Sequence, residues 1–260
     1  MNRVMAPAKL TLSLAVTGVR ADGYHELRAE MVTLSLADDL IFADGGTGLT
    51  VIAEPGTRAE GLDSGEGNLI TRALALVGRR ADVQVVKRIP VGGGLGGGSS
   101  DAAAVLRWAG CTDAAVALAL GADVPFSVAG GRAMVEGIGE KVTPLEFEAR
   151  EFLLAVPPFG VDTAAVYAAW DRLAREGDPG SGENALTRAA LLVEPRLARW
   201  REAFGDLCAC EPLLAGSGST WFVEGGPPEA GTDHLPWLDL EGERARLHRT
   251  HTVPSGWNGG

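Results

Sequence analysis

A chain of 260 residues with 46% apolar content and 36 glycines can bury one large core or two modest ones, and it is globular rather than disordered. Its 34 acidic against 23 basic residues leave a formal charge of -11, which repels a phosphate backbone and argues against nucleic acid as a partner. No apolar run approaches the ~18 residues a membrane helix needs, so no anchor or signal peptide is expected. The three cysteines, Cys111, Cys208 and Cys210, are odd in number and form no paired C-x-x-C zinc signature. Reduced, structural thiols are expected, which fits a cytoplasmic home. Only three of the cations are lysines, Lys9, Lys87 and Lys141, so each invites a reason.

In chain order, Leu10, Leu12, Leu14 and Val16 alternate as in a half-buried strand. Further strands are predicted at 30–36 and 39–43, the latter turning through the glycine-rich 45–48 stretch into a hairpin with 49–53. Residues 55–67 read as a loop. Asn68 opens a helix to about Val77, and a strand follows at 83–88. After a run of glycines, Ser99-Ser100-Asp101 leads an alanine-rich helix to about Ala109, with one of these three as its cap. A short helix is predicted at 113–120 and another turn after Asp123. Strands at 132–136 and 152–156 flank a change of local character near 145–150. Helices are expected at 163–176, 184–192 and 195–204, a strand at 220–223, and a charged helix at 241–248. His248 and His251 lack a carboxylate partner in sequence, and no metal site is expected of them.

The glycine run lies where a strand hands over to a helix, so unpaired N–H groups and the helix's positive end would face one anion. Glycine lets that backbone approach a phosphate closely. A flexible connector is the plainer alternative, but linkers seldom run straight into a helix start. A Walker loop requires lysine directly after its last glycine, where this chain has Gly98 and then Ser99. The dinucleotide fingerprint fits Gly92, Gly94 and Gly97 only formally, because Asp113 opens a helix instead of ending a strand.

The order Pro90-Val91-Gly92-Gly93-Gly94-Leu95-Gly96-Gly97-Gly98-Ser99-Ser100 resembles the phosphate loop of the GHMP kinases. Three further blocks carry the resemblance. Ala6-Pro7-Ala8-Lys9-Leu10-Thr11-Leu12, followed by Arg20-Ala21-Asp22-Gly23-Tyr24-His25-Glu26-Leu27, is similar to the opening of the diphosphocytidyl-methylerythritol kinase family within that superfamily. Leu120-Gly121-Ala122-Asp123-Val124-Pro125-Phe126 resembles its catalytic motif, and Leu214-Ala215-Gly216-Ser217-Gly218-Ser219 its late glycine motif. The resemblance spans about residues 6 to 224.

It implies an α/β (α+β) fold of two lobes: residues 1–148, like the second domain of ribosomal protein S5, and residues 149–260, ferredoxin-like. The implied reaction is transfer of the γ-phosphoryl of ATP to the 2-hydroxyl of a diphosphocytidyl-methylerythritol, with Mg2+ accompanying ATP and Ser100 a candidate to touch it. Asp123 is the implied general base and Lys9 its electrostatic partner. An alcohol attacking a phosphoryl group needs a carboxylate to take its proton, and a nearby ammonium offsets the gathering charge. From the residues alone, Asp before Val-Pro reads more readily as a helix cap, and it is the resemblance that favours the catalytic role. Tyr24 and His25 are the implied cytosine pocket, with Tyr167 as a second aromatic; Asn68 falls near adenine or ribose, although capping explains it equally. Thr11 stands where the family usually has asparagine. Monomer or weak homodimer is the expected state. Another GHMP kinase, of homoserine or mevalonate type, and a nucleotide-binding protein without catalysis are the alternatives.

Overall fold

The computed structural model describes residues 1–226 and 236–259. Its first sheet is organised by two long antiparallel strands, β1 (Asn2–Val19) and β2 (His25–Asp44). Gly23, at φ +84°, makes the turn between them, a conformation that favours glycine. The pairing slips at Pro7/Lys9 and again at Thr11/Ser13. Such bulges re-aim side chains, and here they lie beside Lys9 and Thr11.

β2 is one continuous strand, not the two expected at 30–36 and 39–43. The sequence Asp38-Asp39 reads as a break, but Asp38 is fully buried and accepts hydrogen bonds from Lys87 Nζ and from the amides of Arg88 and Ile89. A paired carboxylate can remain inside a strand where a lone one could not. The expected hairpin is also absent. β3 (Leu49–Ala53) pairs in parallel with β4 (Ala81–Lys87), and β4 lies between it and β2. The glycine stretch passes over Asp82, whose carboxylate accepts from the Gly48 amide at 2.7 Å, instead of folding back on β2. The 27 residues from 54 to 80 supply the crossover that parallel strands require, including α1 (Leu69–Leu76).

The first lobe continues with α2 (Gly97–Ala109), α3 (Ala114–Leu120) and α4 (Val124–Ala129), then β5 (Arg132–Gly137) and β6 (Lys141–Pro144). β6 has no counterpart in the sequence reading. The second sheet runs β10-β11-β7-β9-β8, from β7 (Glu151–Val156), β8 (Leu213–Leu214), β9 (Trp221–Glu224), β10 (Trp237–Leu240) and β11 (Glu243–His251). Between β7 and β8 come α5 (Thr163–Arg175), α6 (Thr187–Val193) and α7 (Arg196–Cys208).

The charged helix expected at 241–248 is instead strand β11. Its charges mimic helical spacing, but Ala245 and Leu247 are buried at alternate positions, and cross-strand partners replace helical ones: Arg244 meets Asp239 and the Arg246 guanidinium lies over Trp237. A strand also puts His248 and His251 on opposite faces. One hydrophobic cluster joins both sheets, packing Met31, Phe126 and Val135 with Leu153, Trp200 and Trp221. Each such side chain contributes about 1.5–3 kcal/mol on burial. After β11 the chain crosses back, Val253 donating to the Thr33 carbonyl at 2.9 Å. The result is the two-lobed α/β arrangement that the motifs imply.

Candidate active site

The glycine run leaves the end of β4, crosses the mouth of a cavity of about 450 Å³ and becomes the first turn of α2. The helix begins at Gly97, ahead of all three expected caps. Its N-cap is Gly96 in the left-handed conformation, so none of Ser99, Ser100 or Asp101 caps it. Loop carbonyls are turned away from the cavity in alternation. Val91 O accepts from Arg58, Gly93 O from the Thr220 amide at 3.2 Å, and Leu95 O from the Lys9 amide at 3.0 Å. Among the described residues the amides of 92–97 have no acceptor. A row of free N–H groups at a helix start is an anion cradle.

Several of these glycines are required by close neighbours. A Cβ on Gly96, at φ +70°, would stand 2.7 Å from Lys9 Cγ, and one on Gly94 only 2.4 Å from the Ala215 carbonyl oxygen. Pro90, Gly92, Gly97, Gly98 and Ser99 line the same cavity. Ser100 Oγ donates instead to the Pro7 carbonyl at 2.5 Å and is buried. Asn68 lines the cavity, but its side chain caps α1 through the Ile70 amide and donates to Asp63 O.

Lys9 Nζ lies 3.5 Å from Asp123 Oδ2 and donates to Thr11 Oγ1 at 3.2 Å. Lys9 and Thr11 are buried on β1, whereas the Asp123 side chain keeps 33% exposure. Asp123 occupies the N-cap position of α4, yet its side chain makes no capping bond; only its carbonyl serves the helix, through Ser127. The carboxylate is therefore unspent. Tyr167 on α5 comes near it: burial first, and then the Asp123 charge, raise the phenol above its ordinary range.

The ring of Tyr167 packs on His25 with centroids 4.7 Å apart, and Trp170 meets the same imidazole edge-on at 5.6 Å. Asp171 fixes His25 through a 2.7 Å contact at Nε2. Tyr24 is not part of this stack. Its ring is 61% exposed in the turn before β2.

Several participants carried no sequence signal. Arg58, a non-glycine residue at φ +56°, donates to Pro157 O at 2.7 Å and to the carbonyls of Phe159 and Val91, tying the loop to the second lobe. Asn184 holds the late glycine turn by donating to Leu214 O and Gly216 O at 2.9 and 2.7 Å. Asp171 and Trp170 looked like ordinary helix residues. Lys87 has no sequence signal beyond its rarity; it bridges Asp38 and Asp101 beneath the loop.

Residues 68–131 match the family model for the GHMP kinases N terminal domain. A 4-diphosphocytidyl-2-C-methyl-D-erythritol kinase of Paracoccus denitrificans is 37% identical over 243 residues, covering 85% of this chain and 86% of that protein. The chain belongs to the 4-diphosphocytidyl-2-C-methyl-D-erythritol kinase family. A kinase of the same name from Burkholderia mallei is 38% identical over 219 residues, 77% of this chain and 70% of that one. A solved crystal structure of 4-(cytidine 5'-diphospho)-2C-methyl-D-erythritol kinase aligns with a TM-score of 0.70 at 32% identity, covering 97% of this chain and 100% of its own. As a member of this kinase family, the chain is an ATP-dependent small-molecule phosphotransferase.

Proposed function

We propose that the chain transfers the γ-phosphoryl of ATP to the 2-hydroxyl of 4-diphosphocytidyl-2-C-methyl-D-erythritol, with Asp123 as general base and Lys9 as its electrostatic partner. The observation that carries this reading is the unspent Asp123 carboxylate, 3.5 Å from Lys9 and between the glycine cradle and the His25–Tyr167 stack. The hydroxyl gives its proton to Asp123 as its oxygen attacks phosphorus, and Lys9 offsets the charge that gathers on the transferred group. The amides of 92–97 hold the phosphates. His25 and Tyr167 offer the cytosine a hydrogen-bonding edge and an aromatic face, with Tyr24 available at the rim.

Mg2+ belongs with the ATP phosphates, which with water supply most of its ligands in such sites. Ser100 fits poorly as one of its ligands, since its hydroxyl is engaged by Pro7. The same reading assigns residues 1–148 to nucleotide binding and catalysis and 149–260 to the second domain. It takes the enzyme as a cytoplasmic monomer or weak homodimer; no helix among the described residues is long and apolar enough to cross a membrane.

The test is Asp123→Asn assayed with ATP and the cytidylyl alcohol: ATP affinity is retained and kcat falls by at least ~10². Full activity in that variant would reduce Asp123 to a helix-end residue. Turnover of an alcohol lacking the cytidylyl group at comparable kcat/KM would overturn the substrate assignment.

A further inference from the structure

A second cavity, of about 320 Å³, lies away from the glycine loop, between the first lobe and the chain that returns after β11. Its walls include Thr33 of β2, Arg107 and Trp108 near the end of α2, Ser127 of α4, and Trp257 of the returning segment. The wall holds one cation and no aspartate or glutamate. In a chain of charge -11 that is an unusual local balance.

Arg107 has no carboxylate partner among the described residues. Its guanidinium donates to the carbonyls of Ser127 at 2.6 Å and Met5 at 2.8 Å. Two of its five N–H groups are so used, and three remain. Burial pushes its pKa down to about 10, the mark of a cation removed from water without an opposing charge. Thr33 is 3% exposed, and its hydroxyl has no hydrogen-bond partner. Two of the carbonyls at the end of α4 are already engaged, Ser127 O by Arg107 and Ala129 O by Ser255 Oγ at 2.6 Å.

We propose that this cavity is a binding site for a small organic oxyanion, a phosphate monoester or a carboxylate, held by the Arg107 guanidinium and the Thr33 hydroxyl and distinct from the nucleotide cleft. The guanidinium fork matches the paired oxygens of either group. The volume lies within the range of small-molecule pockets, and Trp108 and Trp257 provide apolar wall for a short organic body. The location gives the ligand reach. Arg107 lies on α2, whose first turn is the end of the glycine loop, about 15 Å away by helical rise. Ser127 lies on α4, which starts directly after Asp123. One occupant would bear on the far ends of both helices that serve the active site.

The test uses the whole chain saturated with a non-hydrolysable ATP analogue, so that the glycine cleft is filled. Ethyl phosphate and butyrate are titrated separately, with binding followed by tryptophan fluorescence and ligand-observed NMR. At least one probe is expected to bind saturably with Kd near ~1 mM or tighter. Arg107→Gln should weaken it by ~10-fold or more and Thr33→Val by about 3- to 10-fold. Binding of ethyl phosphate alone supports a phosphate site, and binding of butyrate alone supports a carboxylate site. If Arg107→Gln fails to fold, Thr33→Val decides. Absence of saturable binding by either probe up to about 10 mM overturns the proposal. So does binding that neither folded variant weakens.

Discussion

Thr11 Oγ1 accepts a hydrogen bond at 3.2 Å from Lys9 Nζ, the same ammonium that lies 3.5 Å from Asp123 Oδ2. The hydroxyl thus helps aim the lysine. An asparagine carbonyl would accept the same proton. Thr11→Asn should therefore hold kcat within about 3-fold, whereas Thr11→Val, which removes one bond to a charged group, should lower it by ~10-fold or more. Steady-state kinetics at saturating ATP separates the two.

The stack of His25 on Tyr167 predicts a defect confined to one substrate. Tyr167→Leu should raise KM for the cytidylyl alcohol by ~5- to 10-fold and leave KM for ATP unchanged. Tyr24→Ala, at an exposed ring, should have a smaller effect. Equal losses for both substrates would show that Tyr167 supports the fold and not the base.

Arg58 joins the glycine loop to the end of β7 by three carbonyl bonds, and its forked geometry is what allows them all. Arg58→Lys should not rescue this function. Both Arg58→Lys and Arg58→Gln are expected to raise KM for ATP by ~10-fold or more and to lower Tm by several degrees, at about 2–4 °C per kcal/mol for a chain of this size. ATP titration and a thermal melt read the two effects.

Asp101 makes stability depend on pH in an unusual direction. Burial raises its pKa, the attraction of Lys87 lowers it and the repulsion of Asp38 raises it again, leaving it at about 8 against an ordinary 3.8. Between those values the folded chain keeps a proton that the unfolded chain has lost, so this group's contribution to stability is fully present below pH ~4 and declines as pH rises towards ~8. Asp101→Asn cannot titrate and should lack that slope. Denaturant unfolding at pH 5 and pH 8 should show wild type losing ~1 kcal/mol or more relative to the variant.

The sequence exposed most of the site through local patterns, because the chemistry sits at strand ends and helix starts. Asn68, Asp113 and the glycine run each mark a boundary by local backbone needs, and α1 and α3 begin where those residues suggest. What stayed hidden depends on partners distant in sequence. Asp38 looks like a break until Lys87, 49 residues away, neutralises it. Charges in β11 look helical until Asp239 and Trp237 are alongside. Asp123 had two readings in sequence, cap and catalyst, and only the fold could reveal that its side chain makes no cap. Arg58 has no local signal, since its acceptors lie some 33 to 101 residues further on.

The insertion of β4 between β2 and β3 bears on how the molecule assembles. β3 is made first but has nothing to pair with until residues 81–87 arrive, after the loop and helix that separate them. That is a non-local closure, which slows folding more than a hairpin would. During synthesis residues 39–44 of β2 therefore stay uncovered until β4 leaves the ribosome, and residues 27–32 wait longer, for β5; β4 itself ends just before the glycine loop. Covering residues 39–44 of β2 and positioning the glycine loop are thus coupled steps, and a ribosome stalled before residue 87 would carry a nascent chain with β3 unpaired and no glycine loop.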